Sequence, residues 1–287
     1  MIPAGFEYHR PSDIASAVSI LQEHGDEARV IAGGHSLIPM MKLRMADMGH
    51  LIDLQDIDAL KGISLMGDTV TIGAMVTQHE LITSATLANA VPIIKEAALL
   101  IADPQVRYVG TVGGNVANGD PGNDMPGLMQ CLNASYELSG PDGTRTVAAR
   151  EFYEAAYFTA RDDEEILTRI HIPVPAAGTG YAYEKQKRKI GDYATAASAV
   201  MLRVVDGVCA EASIAMTNLA DTPVFAEAAS AALYGRALDD AAIGDAVSAA
   251  IEATDPVADN RGPVEFKKHV ASVILRRAID RAASRAS

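Results

Sequence analysis

A short apolar segment that ends in two consecutive glycines is the feature that most restricts how this chain can fold. Residues 30–44 read VIAGGHSLIPMMKLR, so a predicted strand runs directly into two glycines, a histidine and a serine. Glycines lack the Cβ atoms that hold a backbone away from its neighbours, and they tolerate left-handed conformations. The spacing is not the G-x-G-x-x-G fingerprint, and Pro39 disfavours a helix immediately after the turn. The segment therefore predicts a strand and then a turn that can lie close to a ligand such as a phosphate.

A second glycine pair lies in a segment that contains five glycines and three prolines, residues 103–126, DPQVRYVGTVGGNVANGDPGNDMP. We expect this segment to be irregular, and loops longer than about 12 residues are often functional. Its centre, TVGGN, resembles AGGHS of the first turn. Both turns could approach one anionic group such as a pyrophosphate, to which the hydroxyls of Ser36 and Thr111 could donate. A structural loop, or a surface for a partner chain, would explain the same residues.

Hydrophobic periodicity predicts an α+β fold. Residues 11–25 have the pattern of an amphipathic helix, and residues 28–34 and 50–57 have the pattern of strands, which indicates a small first αβ unit. The elements predicted next are hairpins at residues 62–77 and 136–149, a helix at 90–102 and a strand at 164–175.

The best candidate for a domain boundary is AAGTG at residues 176–180. Three strand-like segments follow it, at residues 181–189, 194–205 and 209–219, and from residue 221 onward the pattern is helical. A three-stranded antiparallel sheet covered by helices fits this order of elements. The predicted domain ranges are 1–57, 58–177 and 178–287.

The charge and hydropathy of the chain exclude some functions. A formal net charge of −13 over 287 residues argues against general nucleic-acid binding, which needs basic patches. The basic run EKQKRK, residues 184–189, predicts a solvated strand face. No apolar run reaches the roughly 18 residues of a membrane span. No signal peptide is evident at the N-terminus, so we expect a cytoplasmic protein.

The residues that bind metals are few and scattered along the sequence. The chain has two cysteines, Cys131 and Cys209, which cannot by themselves hold an iron–sulfur cluster or a zinc ion. Its histidines show no H-x-H or H-x-x-x-H spacing, so we expect no metal site; they are His9, His24, His35, His50, His79, His171 and His269. Any redox chemistry would therefore use an organic cofactor.

Three separated motifs resemble one known family when they are taken together. AGGHSLIPMMK, IADPQVRYVGTVGGNVANGDPGNDMP and YEKQKRKIGDYATAA resemble the FAD-binding medium subunits of the molybdenum hydroxylases, and within them the branch of the aerobic carbon monoxide dehydrogenases. The likeness covers nearly the whole chain. It implies a two-subdomain FAD-binding domain of the PCMH-like type, followed by a C-terminal three-stranded antiparallel sheet with a helix bundle.

The resemblance also implies which residues bind FAD, whose pyrophosphate would lie between the two glycine turns. One side would be formed by Ala32, Gly33, Gly34, His35, Ser36 and Leu37, and the other by Thr111, Gly113, Gly114 and Asn115. Asp124 matches a carboxylate that contacts sugar or ribityl hydroxyls, and Lys185 matches a basic contact. Ile101 and Leu167 match apolar residues near the flavin or adenine, although they would also serve as ordinary core residues. Tyr193 matches a side chain that covers one face of the isoalloxazine.

The function implied by the resemblance is electron transfer, which suits a chain with no evident acid–base pair, nucleophile or metal ligand. A large partner would carry the molybdopterin cofactor, where CO and water become CO2. A small partner would carry two [2Fe–2S] clusters that pass electrons to the FAD of this chain, and a quinone or another acceptor would take them. The resemblance implies a dimer of heterotrimers, in the cytoplasm or at the inner face of the cytoplasmic membrane.

Three other functions stay open on the sequence. The large subunit sets the substrate, so the chain could serve a hydroxylase for a purine, an aldehyde or an N-heterocycle. It could instead be a non-catalytic scaffold whose glycine loops bind partners. A free-standing covalent flavin oxidase is disfavoured, because the chain is short and shows no separate substrate domain.

Overall fold

The computed structural model describes residues 2–286, and its first unit is a three-stranded parallel sheet with order β1-β3-β2. The predicted first helix is confirmed: Asp13 caps its N-terminus by accepting from the Ser16 amide at 2.8 Å, and Gly25, at φ +51°, ends it. The elements of this unit are β1 (Glu7–His9), α1 (Ile14–His24), β2 (Ala28–Ile31), α2 (Leu37–Lys42) and β3 (His50–Asp53).

The second unit surrounds a five-stranded antiparallel sheet with order β4-β5-β10-β6-β7. Its strands are β4 (Ile63–Met66), β5 (Thr69–Gly73), β6 (Ser135–Gly140), β7 (Gly143–Ala148) and β10 (Ile166–Pro173). The predicted hairpins and the predicted strand at residues 164–175 are confirmed. A separate small hairpin contains β8 (Tyr153–Ala155) and β9 (Phe158–Thr159).

Six short helices join β5 to β6 in this unit. They are α3 (Gln78–Thr83), α4 (Ala85–Ala90), α5 (Ile93–Leu100), α6 (Pro104–Val109), α7 (Val112–Ala117) and α8 (Asp124–Cys131). The prediction of an irregular segment at residues 103–126 is therefore wrong. Asp103 and Thr111 are N-caps, and Pro104 occupies the first helical position, so the polar residues and prolines here start helices instead of preventing them.

The third unit is a sheet with order β11-β12-β13-β14, followed by helices. The three long strands are the predicted ones, and the two-residue β14 extends the sheet to four strands instead of three. The elements are β11 (Gly180–Gln186), β12 (Ala196–Val205), β13 (Val208–Thr217), β14 (Val224–Phe225), α9 (Glu227–Leu233), α10 (Asp240–Glu252) and α11 (Val264–Arg285). The predicted domain limits stay a prediction.

Strand β12 lies between two hydrophobic cores. Its odd-numbered residues, including Met201, pack into the core of the second unit, and its even-numbered residues, including Leu202, pack against the C-terminal helices. This alternation follows from the period of two in a β-strand. Both faces of the strand are buried, so the second and third units share it.

Helix α2 begins directly after the first glycine turn and includes Pro39 as its third residue. The expectation that Pro39 prevents a helix here is wrong, because the first amides of a helix have no intrahelical partner and proline loses nothing by lacking one. Among residues 2–286, no helix combines the length and apolarity that crossing a bilayer requires.

Candidate functional site

The first glycine turn presents free backbone amides at the start of α2. Gly34 has a left-handed φ of +71°, which disfavours any side chain, and its carbonyl accepts from the Ile38 amide at 2.9 Å. Within residues 2–286, the amides of His35, Ser36 and Leu37 form no hydrogen bond. Three donors therefore remain for a ligand, beside side chains that are exposed at His35 and Ser36.

The two glycine segments touch each other. A Cβ atom on Gly33 would lie 2.5 Å from the carbonyl oxygen of Val109 and 2.8 Å from the Cα atom of Gly110. A Cβ atom on Gly114 would lie 3.6 Å from the Ala32 methyl group. Glycine at position 33 therefore lets one backbone approach the other.

The second glycine pair differs from the first in conformation, because it lies inside α7. The hydroxyl oxygen of Thr111 accepts from the Gly114 amide at 3.1 Å, and the Gly113 amide donates to the Ala74 carbonyl at 2.9 Å. A Cβ atom on Gly113 would lie 2.5 Å from the Ala74 Cβ atom. These two glycines therefore allow close packing, and their amides already have hydrogen-bond partners.

Asn115 fixes the start of the next helix. Its side-chain Oδ1 accepts from the Met125 amide at 3.2 Å, and its carbonyl accepts from the side-chain amide of Asn123 at 2.8 Å. These two bonds tie α7 to the first turn of α8, where Asp124 lies. The orientation of Asp124 is thus coupled to the second glycine segment.

Asp124 is the centre of a buried polar network. Its Oδ1 accepts from the Tyr183 hydroxyl at 2.6 Å, and its Oδ2 accepts from the Lys185 ammonium at 2.7 Å. The side chains of Lys185 and Asp124 are only 1% and 5% exposed. Burial and then the charge of Asp124 raise the pKa of Tyr183 well above its usual value, so this hydroxyl stays protonated and donates.

Two further cations lie at the end of α5 next to this network. Lys185 and Lys187 both donate to the carbonyl of Leu100, at 3.3 and 2.9 Å, and Arg107 donates to the carbonyl of Ile101 at 2.7 Å. Burial, and then the charge of Lys185, lower the pKa of Lys187. Three cations beside one carboxylate form a positive region in an acidic chain, and such a region attracts anions.

The prediction of a solvated strand face is wrong for Lys185 and Lys187, whereas Gln186, Arg188 and Lys189 are exposed. Lys185 and Lys187 are two residues apart, so they share one face of an extended chain and reach the same carbonyl. That spacing is the sequence signal that could have identified Lys187. Nothing in the sequence marked Arg107 or Ala74, because their roles depend on contacts between elements.

The two predicted apolar residues are buried in the same core. Ile101 is 6% exposed and caps the end of α5, where the three cations meet. Leu167 is 4% exposed and precedes Thr168, whose carbonyl accepts from the Ala74 amide at 2.9 Å. Ala74 in turn packs on Gly113. Ile101 thus borders the site directly, and Leu167 supports it through the second glycine segment.

Tyr193 is 41% exposed and lies in the connection between β11 and β12. A Cβ atom on Gly122 would lie 2.9 Å from the Tyr193 ring, and the guanidinium carbon of Arg261 lies 5.7 Å from the ring centroid. Partial burial and the nearby Asp120 carboxylate raise the pKa of Tyr193, so the ring stays neutral. The Tyr193 ring therefore lies between the loop that follows α7 and Arg261 of the third unit.

Comparison with known proteins identifies a family for each part of the chain. Residues 4–175 match the family described as the FAD binding domain in molybdopterin dehydrogenase. Residues 181–282 match the family described as the CO dehydrogenase flavoprotein C-terminal domain. With this fold and site, the chain belongs to the FAD-binding flavoprotein subunits of the molybdopterin dehydrogenases.

Within that class the similarity is to the medium chains of carbon monoxide dehydrogenases. The chain is 59% identical over 286 residues to the carbon monoxide dehydrogenase medium chain of Afipia carboxidovorans, covering 100% of this chain and 99% of the relative. It is 45% identical to that of Hydrogenophaga pseudoflava, covering 99% of each. The crystal structure of the cyanide-inactivated Cu,Mo-CO dehydrogenase contains a chain that matches with a TM-score of 0.98 at 59% identity, covering 100% of both. The resemblance predicted from the three motifs is confirmed.

Proposed function

We propose that this chain carries FAD and transfers electrons in a heteromeric, molybdenum-containing carbon monoxide dehydrogenase. The observation that carries the proposal is the contact between the two glycine segments, next to the buried pair of Lys185 and Asp124. The residues fit the cofactor: free amides and cations suit a diphosphate, a carboxylate suits hydroxyls, and an aromatic ring suits a flavin. The 59% identity over the full length to the carbon monoxide dehydrogenase medium chain of Afipia carboxidovorans supports carbon monoxide as the substrate of the complex.

Different residues of the chain would bind different parts of FAD. The amides of His35, Ser36 and Leu37 donate to the diphosphate, beside Ala32, Gly33 and Gly34. Asp124 keeps unused lone pairs on both carboxylate oxygens, so it accepts from a sugar or ribityl hydroxyl while Lys185 and Tyr183 hold it in place. Thr111, Gly113, Gly114 and Asn115 shape the opposite wall. The ring of Tyr193 covers the isoalloxazine, and Ile101 and Leu167 form the apolar border.

When bound, FAD supplies one-electron and two-electron redox chemistry. The protein's contribution is positional and electrostatic. Lys185 and Lys187 place positive charge at the end of α5, which favours added negative charge on a nearby group. The close packing of Gly33 against Val109 and Gly110 holds the two turns beside each other.

The proposed partners are a large subunit that holds the molybdopterin cofactor and a small subunit that holds two [2Fe–2S] clusters. The chain has two cysteines, and both are buried and free, which agrees with clusters on another subunit. We place the assembly, a dimer of heterotrimers, in the cytoplasm or at the inner face of the cytoplasmic membrane. A quinone or another oxidant takes the electrons.

A pull-down of the chain from its native source tests this function. The complex should release FAD on denaturation, contain molybdenum and iron, and show visible absorbance that bleaches under CO. The same cofactors without bleaching by CO would keep the electron-transfer role and assign the complex to another substrate, such as a purine, an aldehyde or an N-heterocycle. A folded complex with both partners but no flavin would overturn the proposal and favour a scaffold.

A further inference from the structure

Three histidines from three separate elements meet at one end of the first sheet. His9 ends β1, His24 ends α1 and His50 begins β3. One ring nitrogen from each can be chosen so that all three nitrogens lie within 4.8 Å of one another. His9 Nε2 and His50 Nδ1 are 3.0 Å apart, and the rings of His24 and His50 are stacked with centroids 3.6 Å apart. Sequence spacing could not reveal this cluster, because the residues are 15 and 26 positions apart along the chain (24 − 9 and 50 − 24).

The surroundings of the cluster favour a bound cation. His24 lies in the last turn of α1, where the helix dipole places partial negative charge. The carboxylate of Glu7 lies 3.7 Å from His50 Nδ1. All three imidazoles are partly buried, with the His50 side chain 15% exposed, so their ring nitrogens are shielded but reachable. Three stacked imidazolium ions would repel one another, whereas neutral imidazoles can share one positive ion.

We infer that His9, His24 and His50 form a binding site for a divalent transition-metal ion of the zinc type. Each Zn–N bond is about 2.0 Å, so two nitrogens on one tetrahedral ion lie about 3.3 Å apart. The His9–His50 pair, at 3.0 Å, already has nearly this separation, and the His24 nitrogen, within 4.8 Å of both, reaches it by a turn of its ring. Glu7, whose carboxylate is 3.7 Å from His50 Nδ1, supplies the fourth ligand, either directly or through water.

The positions of the protons on the imidazole rings determine which nitrogens can bind a metal ion. The short contact between His9 Nε2 and His50 Nδ1 requires a proton on one of the two nitrogens. A metal ion takes the place of that proton, which in a neutral imidazole moves to the other nitrogen of the same ring, because both facing nitrogens must be free to ligate. Binding therefore requires a change of tautomer in one of the two histidines.

The site is separate from the flavin region. His50 pairs in register with Ala28, at the start of β2, whereas the first glycine turn follows Ile31 at the other end of that strand. A metal ion here joins β1, α1 and β3 to one another, and it would stabilise the first unit without touching the cofactor. The inference consequently does not depend on the proposed electron-transfer function.

Zinc titration of the full-length, chelator-treated chain tests the inference. Near pH 7.5, calorimetry should show one zinc ion per chain and a higher melting temperature. His24→Gln and His50→Gln should each weaken zinc binding about tenfold or more, since even loss of an outer-shell partner costs 10–100-fold. His269→Gln, which changes an exposed histidine on α11, is the matched control and should bind zinc like the unchanged chain.

A second measurement distinguishes the loss of a metal ligand from misfolding of a variant. Cobalt(II) bound to the unchanged chain should give visible ligand-field absorption, which His24→Gln should lose while its circular dichroism and flavin content stay unchanged. Zinc binding that is equal in His24→Gln, His50→Gln and His269→Gln would overturn the inference. Absence of zinc binding by the unchanged chain near pH 7.5 would overturn it as well.

Discussion

Lys185 and Asp124 form an ion pair whose side chains are almost completely withdrawn from water. Removing charges from water is costly, and the cost is offset only when each charge keeps well-aligned partners. Asp124 has two such partners, Tyr183 and Lys185, and Lys185 also donates to the carbonyl of Leu100. The pair joins α8 to β11, so it is one of the contacts that connect the second and third units beside the candidate site.

Lys185→Met should lower the free energy of unfolding by about 3–5 kcal/mol, because Asp124 would stay buried without its cation. Urea denaturation of the full-length chain measures this loss. Asp245→Asn is the control, since it breaks an ion pair with Arg236 whose side chains are 41% and 65% exposed for Arg236 and Asp245. Its effect should stay below about 1 kcal/mol. A Lys185→Met loss as small as that of the control would contradict the assigned role of the pair.

Gly33 is the position where the two glycine segments come closest. Gly33→Ala would place a methyl group 2.5 Å from the Val109 carbonyl oxygen, so the turns must separate. We expect FAD to bind at least about tenfold more weakly, a change of about 1.4 kcal/mol. The flavin-to-protein ratio of the purified complex and a titration with FAD measure it. Gly5→Ala is the control, since its Cβ would meet nothing within 4 Å; equal flavin content in both variants would count against this contact.

At the scale of elements, α7 shows how packing overrides helix propensity. Replacing an internal helical glycine by alanine usually stabilises a protein by about 0.5–1 kcal/mol. Gly113→Ala should instead destabilise the protein by about 1–3 kcal/mol, because the new methyl would lie 2.5 Å from the Ala74 Cβ and 2.6 Å from its carbonyl oxygen.

Gly244→Ala in α10 is the matched comparison. Its Cβ would meet only the Arg276 guanidinium, at an ordinary 3.7 Å, so this variant should gain the usual stabilisation. Melting temperatures of the two variants measure the contrast. Stabilisation by both substitutions would show that α7 does not pack tightly on Ala74.

Elements with a clear hydrophobic period could be predicted from the sequence, and those defined by tertiary contacts could not. The amphipathic pattern of residues 11–25 predicted α1, and the hairpin pattern of residues 62–77 predicted β4 and β5. Helices α6 and α7 were missed because prolines and glycines dominate residues 103–126, although the capping residues Asp103 and Thr111 were readable. Strand β14 has two residues and forms only by pairing with β13, so no local pattern predicts it.

The candidate site divides in the same way. Backbone positions such as Gly33 and Gly34 could be read from the sequence, because glycine pairs mark close approach or a left-handed turn. The partners that surround them could not. The carbonyl groups of Val109 and Leu100 belong to the backbone, so the side chains at these positions do not predict their role. The Val109 carbonyl reaches the site because α6 packs against the first glycine turn, and the Leu100 carbonyl because α5 packs against β11.

At the scale of the whole molecule, β12 couples the second and third units, between which the sequence predicts a domain boundary at residues 176–180. Its odd-numbered residues complete the core that contains Tyr136 and Phe152, and its even-numbered residues complete the core under α11. Neither core is complete without this strand. The ion pairs Arg285–Glu96 and Arg281–Glu184 add contacts from the last helix to the second unit and to β11. Residues 58–286 should therefore unfold in one cooperative transition.

Substitutions on the two faces of β12 test this coupling. Met201, 8% exposed, faces the core of the second unit, and Leu202, 1% exposed, faces the C-terminal helices. Met201→Ala and Leu202→Ala should each cost about 2–5 kcal/mol and should lower the same calorimetric transition. Hydrogen exchange should show protection falling together in β10 and α11 in both variants, because opening either core exposes the shared strand. Two separate transitions, one sensitive to Met201→Ala and the other to Leu202→Ala, would contradict this coupling. The second and third units would then unfold independently, with residues 176–180 as the boundary between them.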